Sequence, residues 1–315
     1  MLSLKYYRYG LLIFLLLISL AAATSAGLAR PASAQTPQTS LRFFGTGSGD
    51  VDRVKIPLDN PHRSVDVGGD FTLEFWMKAQ PGSNTSTSCQ ESSSSDTWTN
   101  GNIILDRDIF GDGDYGDYGV SLYGGQIAFG TAVGSSRRTI CGTGDLRDGQ
   151  WHHIAVTRQS TSGQMRIFVD GQLQKTANGP VGNLSYKDGR STSYPNSDPF
   201  LVIAAEKHDY DPSTYPSFNG WIDEVRISNN IRYTGSFTPP TQPFTPDANT
   251  VALYHFDGTP GACTGQVIDS SGQNNPGECK YGGNPPNQGP QYVTDSPFTS
   301  NIIYNYRVYL PLIRR

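Results

Sequence analysis

Short β-type runs recur along this chain every 10–15 residues, each closed by Gly, Pro or Asp, and no amphipathic helix of any length separates them. The clearest run is Phe71-Thr72-Leu73-Glu74-Phe75-Trp76-Met77-Lys78. Phe71, Leu73, Phe75 and Met77 take one face, and Thr72, Glu74, Trp76 and Lys78 take the other. Further runs fall at 102–105, 118–123, 126–129, 151–158, 165–169 and 250–256. Gly124-Gly125 and Asp170-Gly171 supply the turns of hairpins. Residues 200–205 are apolar almost throughout, as a strand covered on both faces must be. This rhythm predicts an all-β fold, an antiparallel β-sandwich of about 12 strands. No 20–50-residue period repeats, which excludes propellers and solenoids.

The ends of the chain read differently. Lys5 and Arg8 precede an apolar run at 11–23, and Ala32-Ser33-Ala34 follows, the pattern of a secretory signal peptide cut after Ala34. The run is short of the roughly 20 residues that a membrane span takes. The expectation is a signal peptide at 1–34, a sandwich domain at 35–258 and a Gly/Asn/Pro-rich extension at 259–315 that ends in a candidate surface tail. The mature chain is then secreted or held at the cell surface, with no membrane span. Losing Lys5, Arg8 and Arg30 takes the net charge from −4 to −7, and the remaining Lys and Arg are scattered, which excludes nucleic acid as a partner.

Cys89, Cys141, Cys263 and Cys279 fit an oxidising compartment. Four cysteines allow three connectivities; spacing favours Cys263–Cys279 and Cys89–Cys141. No C-x-x-C pair suggests zinc. Cys89 sits in a Ser/Thr-rich insertion at 81–101, long enough to be either functional or disordered.

Two stretches bear on metal binding. In Phe218-Asn219-Gly220-Trp221-Ile222-Asp223-Glu224-Val225-Arg226-Ile227-Ser228 the apolar residues Ile222, Val225 and Ile227 break the period of two, so a bulge is expected at Asp223-Glu224. A carboxylate beside an unpaired carbonyl suits a hard cation, and a solvated acidic pair is the competing reading. Residues 106–117 hold five carboxylates, Asp106, Asp108, Asp112, Asp114 and Asp117, among flexible glycines. Ca²⁺ takes such oxygen-rich loops, although the ligand spacing of an EF-hand is missing and an acidic turn in water reads equally well.

Four blocks in order carry a resemblance: Phe71-Thr72-Leu73-Glu74-Phe75-Trp76; Asp148-Gly149-Gln150-Trp151-His152-His153-Ile154-Ala155-Val156-Thr157-Arg158; Ile167-Phe168-Val169-Asp170-Gly171; and Gly220-Trp221-Ile222-Asp223-Glu224-Val225-Arg226-Ile227. Together they resemble the LamG-like jelly roll, the laminin-G/pentraxin branch of the concanavalin A-like lectins and glucanases, over roughly residues 41–258. The resemblance implies a concanavalin A-like jelly roll, histidines that serve as a structural signature, and Ca²⁺ at the rim near Asp223 and the Gly49-Asp50 turn.

Some proteins of this shape are glycosidases whose active strand carries Glu-x-Asp-x-x-Glu, because retaining hydrolysis needs carboxylates about 5 Å apart. Here the strand at 71–78 has only Glu74, and Asp223 and Glu224 are adjacent where alternate positions are required. His152 and His153 point to opposite faces, and no G-x-S-x-G is present. An enzyme is not expected. Aromatic residues in the loops, Trp98, Tyr115, Tyr118, Tyr186, Tyr194, Tyr210 and Tyr215, can stack on sugar rings. The reading is a non-catalytic module that binds a glycan or an extracellular protein through Tyr115, Tyr118, Tyr210 and Tyr215. Structural Ca²⁺ is expected among Asp50, Asp108, Asp112, Asp114 and Asp223. The alternatives are a surface structural or adhesive protein without a small-ligand site and, behind it, a glycoside hydrolase.

Overall fold

The strand at 71–78 forms as its alternation requires, and both of its faces turn out to be covered. Phe71, Leu73, Phe75 and Met77 are fully buried in the main core. On the opposite face Thr72 and Glu74 are fully buried as well, because the segment at 229–249 folds back over it. Tyr233 Oη donates to Glu74 Oε2 at 2.8 Å, and Thr72 Oγ1 donates to the Asn230 carbonyl at 2.7 Å. Arg226 Nε donates to Glu74 Oε1 at 2.8 Å, so the buried carboxylate has a charged partner.

This computed structural model describes residues 38–110, 116–186, 189–283 and 289–298. The expected signal peptide, Asp112, Asp114, Tyr115 and the candidate tail lie outside the described residues. No helix among them is long and apolar enough to cross a membrane.

In chain order the strands are β1 (Ser40–Phe44), β2 (Arg53–Pro57), β3 (Phe71–Lys78), β4 (Asn102–Arg107), β5 (Gly116–Tyr123), β6 (Gln126–Val133), β7 (Ser136–Cys141), β8 (Trp151–Arg158), β9 (Gln164–Val169), β10 (Gln172–Asn178), β11 (Phe200–Ile203), β12 (Asn219–Ser228), β13 (Thr250–Tyr254), β14 (Gly261–Ala262), β15 (Gly265–Val267), β16 (Gly277–Lys280) and β17 (Gln291–Val293). Thirteen lie at 40–254, close to the twelve expected, and residues 261–293 add four short ones. One sheet runs β10-β9-β8-β3-β12-β1-β17-β14 with β13 also on β12, and the other runs β15-β16-β2-β11-β4-β5-β6-β7. Each pairing between strands is antiparallel. The two layers pack Phe71, Phe75, Phe129 and Ile203 between them, and the architecture is the expected antiparallel jelly-roll sandwich.

The bulge on β12 falls where the broken period placed it. Against β3 the register runs Asp223↔Trp76 and then Arg226↔Glu74, one residue too many on β12. Glu224 sits at φ +51°, the left-handed region. The bulge also marks a change of partner: β1 pairs with β12 up to Ile222, and β13 pairs with it from Val225 onward. The Gly124-Gly125 hairpin closes with both residues at positive φ, +60° and +87°, which a type I′ turn demands and glycine adopts without strain.

The insertion at 81–101 is ordered. It carries a short 3₁₀ helix, Thr97–Asn100, and lies across the outer face of the second sheet. There Trp98 is fully buried in a small cluster with Ile103, Tyr123 and Ala128. The Cys89–Cys141 disulfide ties the insertion to β7, with Cα atoms 6.2 Å apart. Cys263–Cys279 closes the loop between β14 and β16 at 5.8 Å. Both are the pairs that spacing favoured.

Candidate functional site

Among the described residues the expected cation ligands Asp50, Asp108 and Asp223 do not gather at one point. Asp50 lies 3.1 Å from Lys55 Nζ and 3.9 Å from an Arg53 nitrogen, so its charge is matched by cations of its own strand neighbourhood. Asp223 is buried beside the bulge. Its Oδ1 accepts from the Glu224 N–H at 2.9 Å and its Oδ2 accepts from Ser296 Oγ at 2.9 Å. Burial, and next the neighbouring Glu224 charge, push the Asp223 carboxyl well above the ordinary range. Among the described candidates Asp50 borders a cavity of about 380 Å³ shared with Lys55 and Lys280, and Asp108 borders one of about 410 Å³ with further acids on its wall. Among the described residues no three His, Cys, Asp or Glu side chains form a metal-holding group.

That cavity, of about 410 Å³, lies on the outer face of the second sheet between the 81–101 insertion and the loop that follows β11. Alternation along β4 and β5 builds its floor. Leu105 and Tyr118 enter the core, so Asp106 and Asp117 emerge on the outer face. Each carboxylate then fastens a piece of loop. Asp106 Oδ1 accepts from the Asp108 N–H at 2.8 Å, and its Oδ2 accepts from the Lys207 N–H at 3.0 Å. Asp117 Oδ1 accepts from the Ile109 N–H at 2.9 Å. Glu206 accepts from the backbone N–H groups of His208 and Tyr210, both at 2.8 Å.

His208 is the cationic post of this wall. Its imidazolium donates from Nε2 to Asp198 at 2.8 Å and from Nδ1 to Glu206 at 3.0 Å. Burial would lower its pKa, but these two carboxylates raise it to about 9. Two acids of the same wall are raised as well. Burial, then repulsion from Asp117 and Asp106, sets Asp108 well above its usual value. Burial, only partly offset by Arg107, raises Asp117 to about 7. The wall thus disfavours the ionised forms of these two carboxyls.

Aromatic side chains stand at the mouth. Tyr210 is 61% exposed and meets Tyr215 edge-on, with ring centroids 5.6 Å apart. Phe110, 51% exposed, and Tyr194, 38% exposed, have centroids 4.6 Å apart, and both contact the His208 ring. The structure thus brings together Asp108, Tyr210 and Tyr215 from the expected set. Tyr118 is a correction: it is fully buried against Phe71 and the Arg107 guanidinium, and no ligand at the surface can touch it. Trp98 and Tyr186 are buried likewise. Sequence reasoning passed over Phe110, Glu206 and His208. The signal was present as the abrupt polar run Glu206-Lys207-His208-Asp209 that follows an apolar strand.

The two histidines of the Trp151-His152-His153 block hold structure. His152 bonds Asp170 at 2.8 Å and Asp148 at 3.1 Å, fastening two turns to β8. His153 is fully buried among Trp76, Phe237 and Phe244.

Comparison with known proteins bears on this fold. A laminin G model of the Concanavalin A-like lectin/glucanases superfamily matches residues 48–233. Over 57 residues, 18% of this chain, the sequence is 37% identical to the rat (Rattus norvegicus) "Sushi, von Willebrand factor type A, EGF and pentraxin domain-containing protein 1", and that stretch spans 2% of the relative's length. Among solved structures, a candidate carbohydrate binding protein from Bacteroides ovatus ATCC 8483 is similar over 78% of this chain and 58% of its own, at 17% identity and a TM-score of 0.48. The heptameric SAP-like pentraxin of Limulus polyphemus is similar over 72% and 95%, at 12% identity and a TM-score of 0.42. Domains LG4-5 of the mouse laminin alpha1 chain are similar over 76% and 56%, at 15% identity and a TM-score of 0.41.

Proposed function

The chain belongs to the laminin G family of the concanavalin A-like lectin/glucanases superfamily, and from that premise we propose an exported, non-catalytic binding module that takes a glycan in the outer-face pocket. One observation carries this reading: the exposed rings of Phe110, Tyr194 and Tyr210 stand around a cavity lined by Asp108, Asp117 and Glu206. Aromatic faces receive the C–H face of a sugar, and carboxylates accept from its hydroxyls.

We propose Ca²⁺ at the same wall as a brace. Asp96, Asp106, Asp108, Asp117, Asp198 and Glu206 are set against Arg107, Arg137, Lys207 and His208, so the cluster would carry −2 with every group ionised. A divalent cation offsets that charge and returns the acids to their ionised form. Asp108 is the described residue that would hold it, 3.9 Å from a His208 already committed to Asp198 and Glu206. Asp112 and Asp114 of the neighbouring segment are the further ligands proposed.

A glycan array probed with and without EDTA tests both parts. Sugar binding that weakens in chelator supports the module and its brace. Binding indifferent to EDTA removes the calcium. Silence in both conditions, with capture of an extracellular matrix protein, moves the function to protein adhesion.

A further inference from the structure

We infer that the ligand is a neutral oligosaccharide gripped along its chain by two aromatic platforms, not a single terminal sugar. This rests on the glycan reading of the pocket and goes beyond it. The exposed aromatics form two separate pairs, Phe110 with Tyr194 and Tyr210 with Tyr215. Contacts lead from one pair to the other through polar groups: Phe110 to His208 at 5.9 Å, then His208 to Asp108 at 3.9 Å. Tyr215 lies within the fields of Asp108 and Glu206, and these raise its pKa after burial and Tyr210. Each pair leaves one ring more than half exposed, Phe110 and Tyr210. Among the described residues six large apolar or aromatic side chains are exposed; two of them, Phe110 and Tyr210, line this cavity, and a third, Tyr194, packs on Phe110. Isolated exposed rings are ordinary, but a cluster around a cavity marks a contact surface.

A sugar stacked on each exposed ring leaves a middle unit of the chain over the carboxylates that line the cavity with them. That middle unit meets acceptors, so it must supply hydroxyl donors. Uronates or sulfates there would add negative charge to acids that already repel one another. The stretch is therefore neutral, and a cavity of about 410 Å³ falls within the roughly 300–1,000 Å³ of small-ligand sites.

The test uses the full chain on an array of glucose, galactose, mannose, xylose and N-acetylglucosamine homo-oligomers of one to six rings, with oligogalacturonates as acidic counterparts. The hit series is then titrated by calorimetry. Affinity is expected to rise about tenfold for each platform reached, levelling off once the oligomer is long enough to fill both. Phe110→Ala and Tyr210→Ala should each weaken the oligomer that fills both about tenfold, while only one of them affects the monosaccharide. Both residues are exposed, so folding is not at stake, and unchanged melting curves confirm that. A monosaccharide that binds as tightly as the oligomers overturns the inference and leaves the glycan reading standing, as does preference for oligogalacturonate. No binding by any sugar removes that reading and the inference together.

Discussion

The indole of Trp98 occupies the space that a side chain on Gly130 would need. A Cβ built on Gly130 would fall inside van der Waals contact with the pyrrole edge of the indole, and one on Gly119, its cross-strand neighbour, would strike the benzene edge. The two glycines form a flat bed in β5 and β6, and the 81–101 insertion closes over it. Gly130→Ala should cost about 1–3 kcal/mol in urea unfolding, because the ring is forced off its seat. Trp98→Ala should cost about 3–5 kcal/mol. In the double variant the glycine substitution should add almost nothing, since the clash is gone. Additive losses would show that the two residues are independent.

The bulge residue offers a backbone test. Glu224 stands at φ +51°, and its Oε2 accepts from the buried Phe244 N–H at 2.7 Å. Glu224→Ala strands that donor and should cost about 1–3 kcal/mol. Glu224→Gly loses the same bond but relieves the left-handed backbone, so it should be milder by about 1 kcal/mol. Chemical denaturation of the pair checks the order, and an alanine variant as stable as the glycine one would argue against backbone strain.

The same carboxylate governs a pH effect. His255 Nδ1 lies 2.6 Å from Glu224 Oε1. Burial alone would lower the His255 pKa, but this hydrogen bond together with the charges of Glu224 and Asp257 outweighs it, and the folded value is raised. A raised folded pKa stabilises fully below the unfolded value of about 6.5 and loses that contribution as pH rises through the folded value. Tm should therefore fall over the alkaline side of neutrality in the wild type. The slope should flatten in His255→Phe. A wild-type Tm that climbs over this range would contradict the assignment.

The two disulfides should separate by region. The chain-entropy estimate gives each about 3–4 kcal/mol, with more for Cys89–Cys141, whose cysteines are 52 apart, than for Cys263–Cys279 at 16. The Cys89→Ser/Cys141→Ser variant should loosen the insertion and move Trp98 emission to the red. Cys263→Ser/Cys279→Ser should leave that emission unchanged. Identical spectra for both variants would mean that the insertion does not need its tie.

Calcium makes a prediction that does not depend on sugar. If the acidic wall holds the ion, 1 mM Ca²⁺ should raise Tm over EDTA, and Asp108→Asn should abolish the rise. The same substitution should raise Tm in EDTA, because it removes a charge that burial and Asp117 oppose. Asp50→Asn, which leaves that wall intact, should keep the calcium response. A Tm indifferent to calcium in the wild type would end the proposal.

Much of the molecule was legible locally. Alternation over 71–78 named the core face of β3, the three-residue step in 218–228 located the bulge, and cysteine spacing favoured the pairs that form. These are short-range consequences of side chains that alternate every two residues and of turns that need glycine, so the linear order contains them. Tyr118 shows where that ends. Whether a tyrosine in a strand meets ligand or core depends on which face the partner sheet covers, and periodicity names the faces without saying which is wet. Glu74 is the same case: alternation puts it on the face opposite Phe75, and only the segment at 229–249 lying over it makes that face a buried one.

Residues a few positions apart carry the alternation of the strands, their order and turns, the bulge and the chemistry available in each loop, and these were readable along the chain. Tertiary structure alone decided that Asp50 meets Lys55, that Asp223 is capped by Ser296, and that Asp108, Glu206, Tyr210 and Phe110 share one mouth. Those contacts join residues about 70 to 100 positions apart, or place opposite charges together, and they exist only once antiparallel packing has brought distant loops to the same face of a sheet.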